Sequence, residues 1–301
     1  MGKYWPVLRF VSWDGGVNMA EDKISIDILS PEAVTVKAET IGVKKAKNSL
    51  RSTVMLGVLA GAFIALAGEF YTLAVIDTGL GFSLTKLIGG FVFSLGLILV
   101  VVTGAELFTG NTLLIIAYMT GKISFRDLMR NWILVYIGNF LGAVGVALLV
   151  FYAKQYTLKD YHFALESLKI AQTKLANDFF TQTVRAVLAN LLVVMAVWLS
   201  YAGRSLADKF LAVILPVTAF VASGFEHSIA NMYFVPFAIF IKGLPEVITA
   251  WQKSGLPGDI ATITWVNFVF KNLIPVTIGN IIGGGFLVGL VYWFVYLYKK
   301  T

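Results

Sequence analysis

The stretch FVASGFEHSIANMYFVP, Phe220 to Pro236, decides the fold. It lies inside an apolar run from Phe210 to Ile241, in which only Glu226 and His227 carry charge or titrate near neutral pH. A single helix of that length would reach roughly 48 Å at about 1.5 Å per residue. The hydrocarbon core of a bilayer is only about 30 Å thick. The run therefore tilts strongly or breaks, and the polar cluster Ser223 to Ser228 is where a break is expected. Non-helical backbone survives at membrane depth only where protein buries it or where it lines a watery cavity. An ionisable pair in such a place marks a functional site by default.

Composition agrees with a membrane protein. Of 301 residues, 58% are hydrophobic and 14% charged, against about a quarter charged in soluble domains. There is no cysteine, so disulfides, thiolate metal sites and cysteine nucleophiles are excluded. His162 and His227 are the only histidines, too few for a metal centre, and no cofactor is implied. The net charge of +7 sits beside apolar runs and reads as a topology signal rather than a nucleic-acid surface.

Residues 1–29 lack the pattern of a secretory signal. Met19-Ala20-Glu21-Asp22-Lys23 reads as a start of the protein proper, which makes residues 1–18 an extension or a mis-assigned start. Ser30-Pro31-Glu32 signals a helix start, and residues 30–49 are expected to lie at the inner membrane surface, with a lid over a pore mouth as the alternative. Residues 50–301 then form the membrane domain. Its spans are predicted over 52–75, 87–121, 131–153, 181–200, 210–241 and 272–298. The second is anomalous like the fifth. From Leu87 to Gly121 the one charge is Glu106, and a half-helix, a loop at about 105–111 and a second half-helix are expected. His162, in the connection 154–180, is expected to be solvated.

Spans one to three and four to six each carry an interrupted middle helix. An odd number of spans per half makes the halves inverted repeats, and paired broken helices in such halves point to a transport site. The short basic connections at Lys122-Arg126-Arg130 and Arg204-Lys209, with Lys44, Lys45, Lys47 and Arg51, place both termini in the cytoplasm. Glu106 and Glu226 are expected to accept hydrogen bonds from loop N–H groups.

Several stretches together resemble the formate/nitrite transporter family, most closely its formate channels. They are Lys86 to Gly90, Phe93 to Leu97, Leu107-Phe108-Thr109, Gly224 to Met232 and Asn272 to Asn280. The resemblance implies an aquaporin-like protomer and a homopentamer in the cytoplasmic (inner) membrane. Glycine pairs at Gly57/Gly61 and Gly138/Gly142 supply small faces for such packing. It also implies passage of formate or a similar small monovalent anion, coupled to protons. On matching positions, His227 would be the central proton-exchanging group, with Glu226 beside it and Thr109 and Asn280 holding its ring. Leu97 and Leu107, beside Phe108, would form one constriction and Phe93 and Phe220 the other. Lys174 and Asn190 would belong to the outer approach.

Alternatives remain at this point. Nitrite or hydrosulfide could be the cargo. An intramembrane hydrolase built on His227 and Glu226 is a reading of another class, and it lacks a recognisable nucleophile. A scaffold or sensor without flux would leave both broken helices without a purpose.

Overall fold

The computed structural model describes residues 28–298, all of them in helices or the loops between helices. The expectations for residues 1–27 lie outside the described residues. Helix α1, Pro31–Ala46, begins as its sequence dictates: the Ser30 side chain accepts from the Ala33 N–H, with proline and Glu32 in the first turn. Ten further helices follow among the described residues. They are α2 Leu50–Val75, α3 Phe82–Thr103, α4 Phe108–Met119, α5 Phe125–Tyr152, α6 His162–Leu175, α7 Phe179–Ala202, α8 Leu206–Ala222, α9 Ser228–Ile241, α10 Pro245–Ser254 and α11 Trp265–Tyr296. Of these, α2, α3, α5, α7 and α11 are long and apolar enough to cross a membrane singly. The predicted fifth span, 210–241, is divided between α8 and α9, and the pair that could serve as a sixth crossing by length and composition is α9 with α10, bent by 101°.

Both predicted breaks are present and are shorter than expected. Each contains a glycine in the left-handed region, Gly104 (φ 75°) and Gly224 (φ 69°), a conformation that costs other residues a Cβ clash. Only Gly104 to Leu107 and Ser223 to His227 leave the helical path. Helix α3 is thus long enough to cross by itself rather than being half a span.

Helices α2 and α5 pack so closely that glycine is required. A Cβ on Gly61 would stand 2.1 Å from the Asn139 carbonyl oxygen, and one on Gly142 would stand 2.0 Å from that of Val58. The glycine pairs therefore bind two helices of one protomer; they are not subunit faces. The second half repeats the device, with Gly279 and Gly283 each 2.2 Å from a carbonyl oxygen of α7, those of Thr183 and Val187. Around the protomer the order is α5, α2, α3, α8, α7, α11, each packed on the next.

Three further features add to the sequence reading. Helix α1 packs on the membrane helices: Val34, Ala38, Gly42 and Ala46 are buried, and α1 contacts α4, α5 and α7. The connection 154–180 contains α6, which packs on α9. His162 is half-exposed and is also hydrogen-bonded to Asp77. The Asp77 carboxyl, on the loop between α2 and α3, is held below its usual range by the Lys159 hydrogen bond and then by His162.

The close approach of α2 and α5 gives a first test. Gly142→Ala should push the helices apart at a cost of about 1–3 kcal/mol and lower the unfolding temperature in detergent. Gly145→Ala, whose Cβ meets nothing within 4 Å, should leave it unchanged. Equal melting of the two variants would refute the packing argument.

Candidate functional site

A break at membrane depth frees backbone groups that water cannot reach. One asparagine answers that need in each half. Asn139 of α5 donates to the carbonyls of Gly57 and Glu106, both at 2.8 Å, while its side-chain oxygen accepts from the Phe108 N–H at 2.9 Å. Asn280 of α11 donates to the carbonyls of Ala186 (2.9 Å) and Glu226 (3.1 Å) and accepts from the Ser228 N–H (2.9 Å). Each asparagine thus clamps the loop on both sides of one residue, Leu107 in the first break and His227 in the second.

The carboxylates are handled the same way twice. Glu106 and Glu226 are each 2% exposed. Asn111 donates to Glu106 at 2.5 Å and to Asn131 at 2.9 Å. Asn231 donates to Glu226 and to Asn272, both at 2.7 Å. A lysine completes each cluster. The Lys45 Nζ lies 3.4 Å from Glu106 and donates to Asn111 at 2.7 Å. The Lys174 Nζ meets both Glu226 oxygens at 3.2 and 3.1 Å. Burying one charge alone is costly, and pairing with full hydrogen bonding offsets that cost.

Between the two clusters lies His227. Its Nδ1 accepts the Ala230 N–H at 3.1 Å, so it caps α9. A backbone N–H can only donate; the ring proton of the neutral imidazole therefore sits on Nε2, which faces the Thr109 hydroxyl at 2.9 Å. Thr109 is in the first turn of α4. This contact therefore brings the N-termini of two helices together, with their partial positive charge.

Two cavities approach this point from opposite sides. The one on the α6 side holds about 390 Å³ and is lined by Tyr71, Lys174, Phe93, Phe220, His227 and Phe234 among others. The Phe93 and Phe220 rings meet edge to face, 6.0 Å between centroids, and Phe220 stacks on His227 at 5.9 Å. The cavity on the α1 side holds about 250 Å³, and Lys37, Lys45, Leu97, Leu107 and Lys209 are in its lining. Lys37 donates to the Tyr201 carbonyl at 2.7 Å. Burial, then Lys209 and Arg204, hold its ammonium below the usual lysine range.

The structure thus places Phe93, Phe220, Lys174, Glu226 and His227 on one cavity and Leu97 and Leu107 on the other, with Thr109 bonded to His227. Four expectations need correcting. Asn280 grips the peptides flanking His227, not its ring. Asn190 is not in the outer approach: it is fully buried at the centre, donating to the carbonyls of Thr109 (3.2 Å) and Asn280 (2.6 Å). Phe108 lines neither cavity, because its ring packs on Trp132 and Tyr136. The glutamate carboxylates accept from lysine and asparagine side chains instead of loop N–H groups. Sequence reasoning missed Lys45, Asn111, Asn131, Asn139, Asn231 and Asn272. The signal was there: Glu-to-Asn spacing is the same in Glu106/Asn111 and Glu226/Asn231, as is Asn-to-Asn spacing in Asn131/Asn139 and Asn272/Asn280.

Comparison with known proteins gives one answer. The family model described as formate/nitrite transporter matches residues 32–294. The chain is 46% identical to the formate channel FocA of Escherichia coli K12, over 90% of this chain and 95% of that protein. It is 33% identical to the formate channel BtFdhC of Bacillus thuringiensis, over 88% and 95% respectively. Among solved structures it is similar to a pentameric formate channel with formate bound, at TM-score 0.76 and 43% identity, covering 82% of this chain and 98% of that one.

The Lys174–Glu226 pair can be tested by removal. Lys174→Met leaves a buried carboxylate unpaired and should cost about 3–5 kcal/mol. Adding Glu226→Gln should recover most of the loss in thermal unfolding. A double variant as unstable as the single would mean that lysine packing, not charge, is what matters.

Proposed function

We propose that this chain, which belongs to the formate/nitrite transporter family, conducts small monovalent anions, formate foremost, through each protomer of a homopentamer. The observation that carries this reading is the convergence of two cavities on the His227–Thr109 contact, where two helix N-termini meet. The similarity to formate channels supports formate as cargo, and the pentameric structural neighbour supports the assembly. A matching family of transporters speaks against the hydrolase alternative. The basic connections on the α1 side support cytoplasmic termini in the inner membrane.

A bare anion in an apolar constriction loses its hydration at a cost of many kcal/mol. The path offers three compensations. The lysine of each carboxylate cluster lines the cavity on its own side, Lys45 one and Lys174 the other. The N-termini of α4 and α9 supply partial positive charge at the centre. The Nε2–H of His227 offers a hydrogen bond there. Phe93 with Phe220, and Leu97 with Leu107, then pass only small species that shed water briefly or cross as the neutral acid. Proton exchange at His227 works through this geometry. A second ring proton displaces the Ala230 N–H from Nδ1, and returning that proton to the anion restores the cap. Binding must be weak enough to leave as well as strong enough to enter, and neutralising the anion releases it.

The Nδ1 contact also favours a second reading, in which His227 stays neutral and is a fixed donor while the proton arrives with water. Formate uptake into proteoliposomes, with and without an inward proton gradient, separates the two. Under exchange, His227→Gln loses the gradient-driven component and keeps only anion leak. Under fixed donation, the glutamine amide replaces the donor and the gradient-driven rate survives. A panel of formate, nitrite, hydrosulfide and lactate distinguishes the cargoes. In the same assay, Phe220→Ala and Leu107→Ala should raise flux or admit the larger anion, lactate. Unchanged selectivity in both would make these side chains packing only.

A further inference from the structure

Glu69 and Arg185 are ionisable side chains in the long membrane helices that belong to none of the networks described above. Glu69 is on α2 and Arg185 on α7, both half-buried. Neither side chain has a hydrogen bond or ion pair within its own protomer, among the described residues. Tyr233, whose ring packs beside Gly68, leaves its own buried hydroxyl without a partner. Every other glutamate in a long membrane helix or a break is clustered with a lysine. An unpaired charge at such depth is costly, so each of these two needs something outside the protomer.

Their positions are complementary. Glu69 lies about 9 Å along α2 from Val75, and Arg185 about 9 Å along α7 from Phe179, at about 1.5 Å per residue. Val75 and Phe179 are both at the α6-side ends of their helices, so the two charges share a depth. They are also on opposite flanks of one face. Helix α3 packs on α8 at its centre, α2 borders α3, and α7 borders α8. Around Glu69 this face exposes Leu66, Phe70 and Leu73; around Arg185 it exposes Val184 and Leu188. A ring of identical subunits needs two different patches that fit head to tail, one on each flank.

We propose that the α2 flank of one protomer docks on the α7 flank of the next, and that Glu69 pairs with Arg185 of the neighbouring protomer around the ring. The occupant of this face is a second copy of the chain, because the two flanks carry opposite unpaired charges at one depth. The proposal rests on the pentameric reading above. It has a consequence for the channel, since the Arg185 carbonyl accepts the Glu226 N–H at 3.4 Å. The same helix turn therefore holds both the subunit contact and the second break. Lys271, exposed near the start of α11, is the rival cation at similar depth.

The chain has no cysteine of its own, so a cross-linking test is clean. Glu69→Cys and Arg185→Cys are combined in the full chain and treated in liposomes with a short bifunctional thiol reagent. The expected result is a ladder of covalent oligomers ending at a closed ring on a denaturing gel. Each single variant, and Glu69→Cys with Lys271→Cys, should stay monomeric. A ladder through Lys271 instead overturns the pairing. So does no ladder in protein that light scattering finds pentameric, which indicates lipid-facing charges and leaves the assembly intact. Monomeric unmodified protein defeats the pentamer reading and this proposal with it. A charge swap gives an independent readout. Glu69→Arg alone and Arg185→Glu alone should each raise the dissociated fraction by about tenfold, and the double swap should restore the ring. Equal dissociation of the single and double variants overturns the pairing.

Discussion

Everything in this protein depends on interrupting a helix inside a bilayer and still bonding every polar group that the interruption exposes. Asn139 and Asn280 meet that constraint with one side chain per break. Each uses its amide to bond two carbonyls and one N–H, so a loop without regular structure is held by three hydrogen bonds. Removing such a partner leaves buried groups whose desolvation costs about 1–3 kcal/mol each. The asparagines in turn need α2 near α5 and α7 near α11, because their amides bond carbonyls of the facing helices. The glycines at Gly61, Gly142, Gly279 and Gly283 make that approach sterically possible. Loop geometry and helix packing are therefore one requirement.

The carboxylate clusters add direction to this frame. Glu226 lies one residue before His227, and Glu106 one residue before Leu107. Fixing each carboxylate against a lysine and an asparagine fixes the cap residue that follows. Helices α4 and α9 then begin at the same point from opposite sides, and their N-termini meet through the Thr109–His227 contact. A centre that is prepared in advance asks for little reorganisation when an anion arrives.

The coarse fold was legible in the sequence because bilayer thickness limits helix length. Two uncharged runs too long for one crossing identified both breaks, and the basic connections arranged the rest. The breaks are narrower than the sequence suggests because Phe108 and Thr109 look like loop residues beside glycine, whereas the hydrogen bond that the Phe108 N–H donates to the Asn139 side chain starts the helix at Phe108. Helix α6 was hidden by its mixed charges, since its amphipathic face packs on α9 and never needs to span. Most of the residues that the family pattern supplied line one of the two cavities. Asn190 and Phe108 did not, because a matched position does not say which way a side chain turns. The asparagine clusters required comparing one half of the chain with the other. Their members are far apart in sequence and become a motif only when the halves are overlaid.

That overlay also explains why the path is asymmetric. Gly104, Glu106 and Asn111 correspond to Gly224, Glu226 and Asn231, each pair in the same register. In this alignment His227 falls opposite Leu107, and both are the residue just before the second helix of their half. A duplicated frame thus presents the same backbone position to the path twice. On the α1 side it carries an apolar side chain that narrows the cavity. On the α6 side it carries an imidazole that caps its helix and reaches Thr109. The lysines differ in the same way. Lys45 divides its contacts between Asn111 and Glu106, whereas Lys174 gives both to Glu226 and leaves the Asn231 side-chain oxygen without a partner. Symmetric scaffolding thus holds an apolar side chain at this position in one half and a titratable one in the other. A frame with leucine at both positions would be a dry barrier from either side. One with histidine at both would leave two polar caps competing for Thr109 and no apolar collar to exclude larger anions.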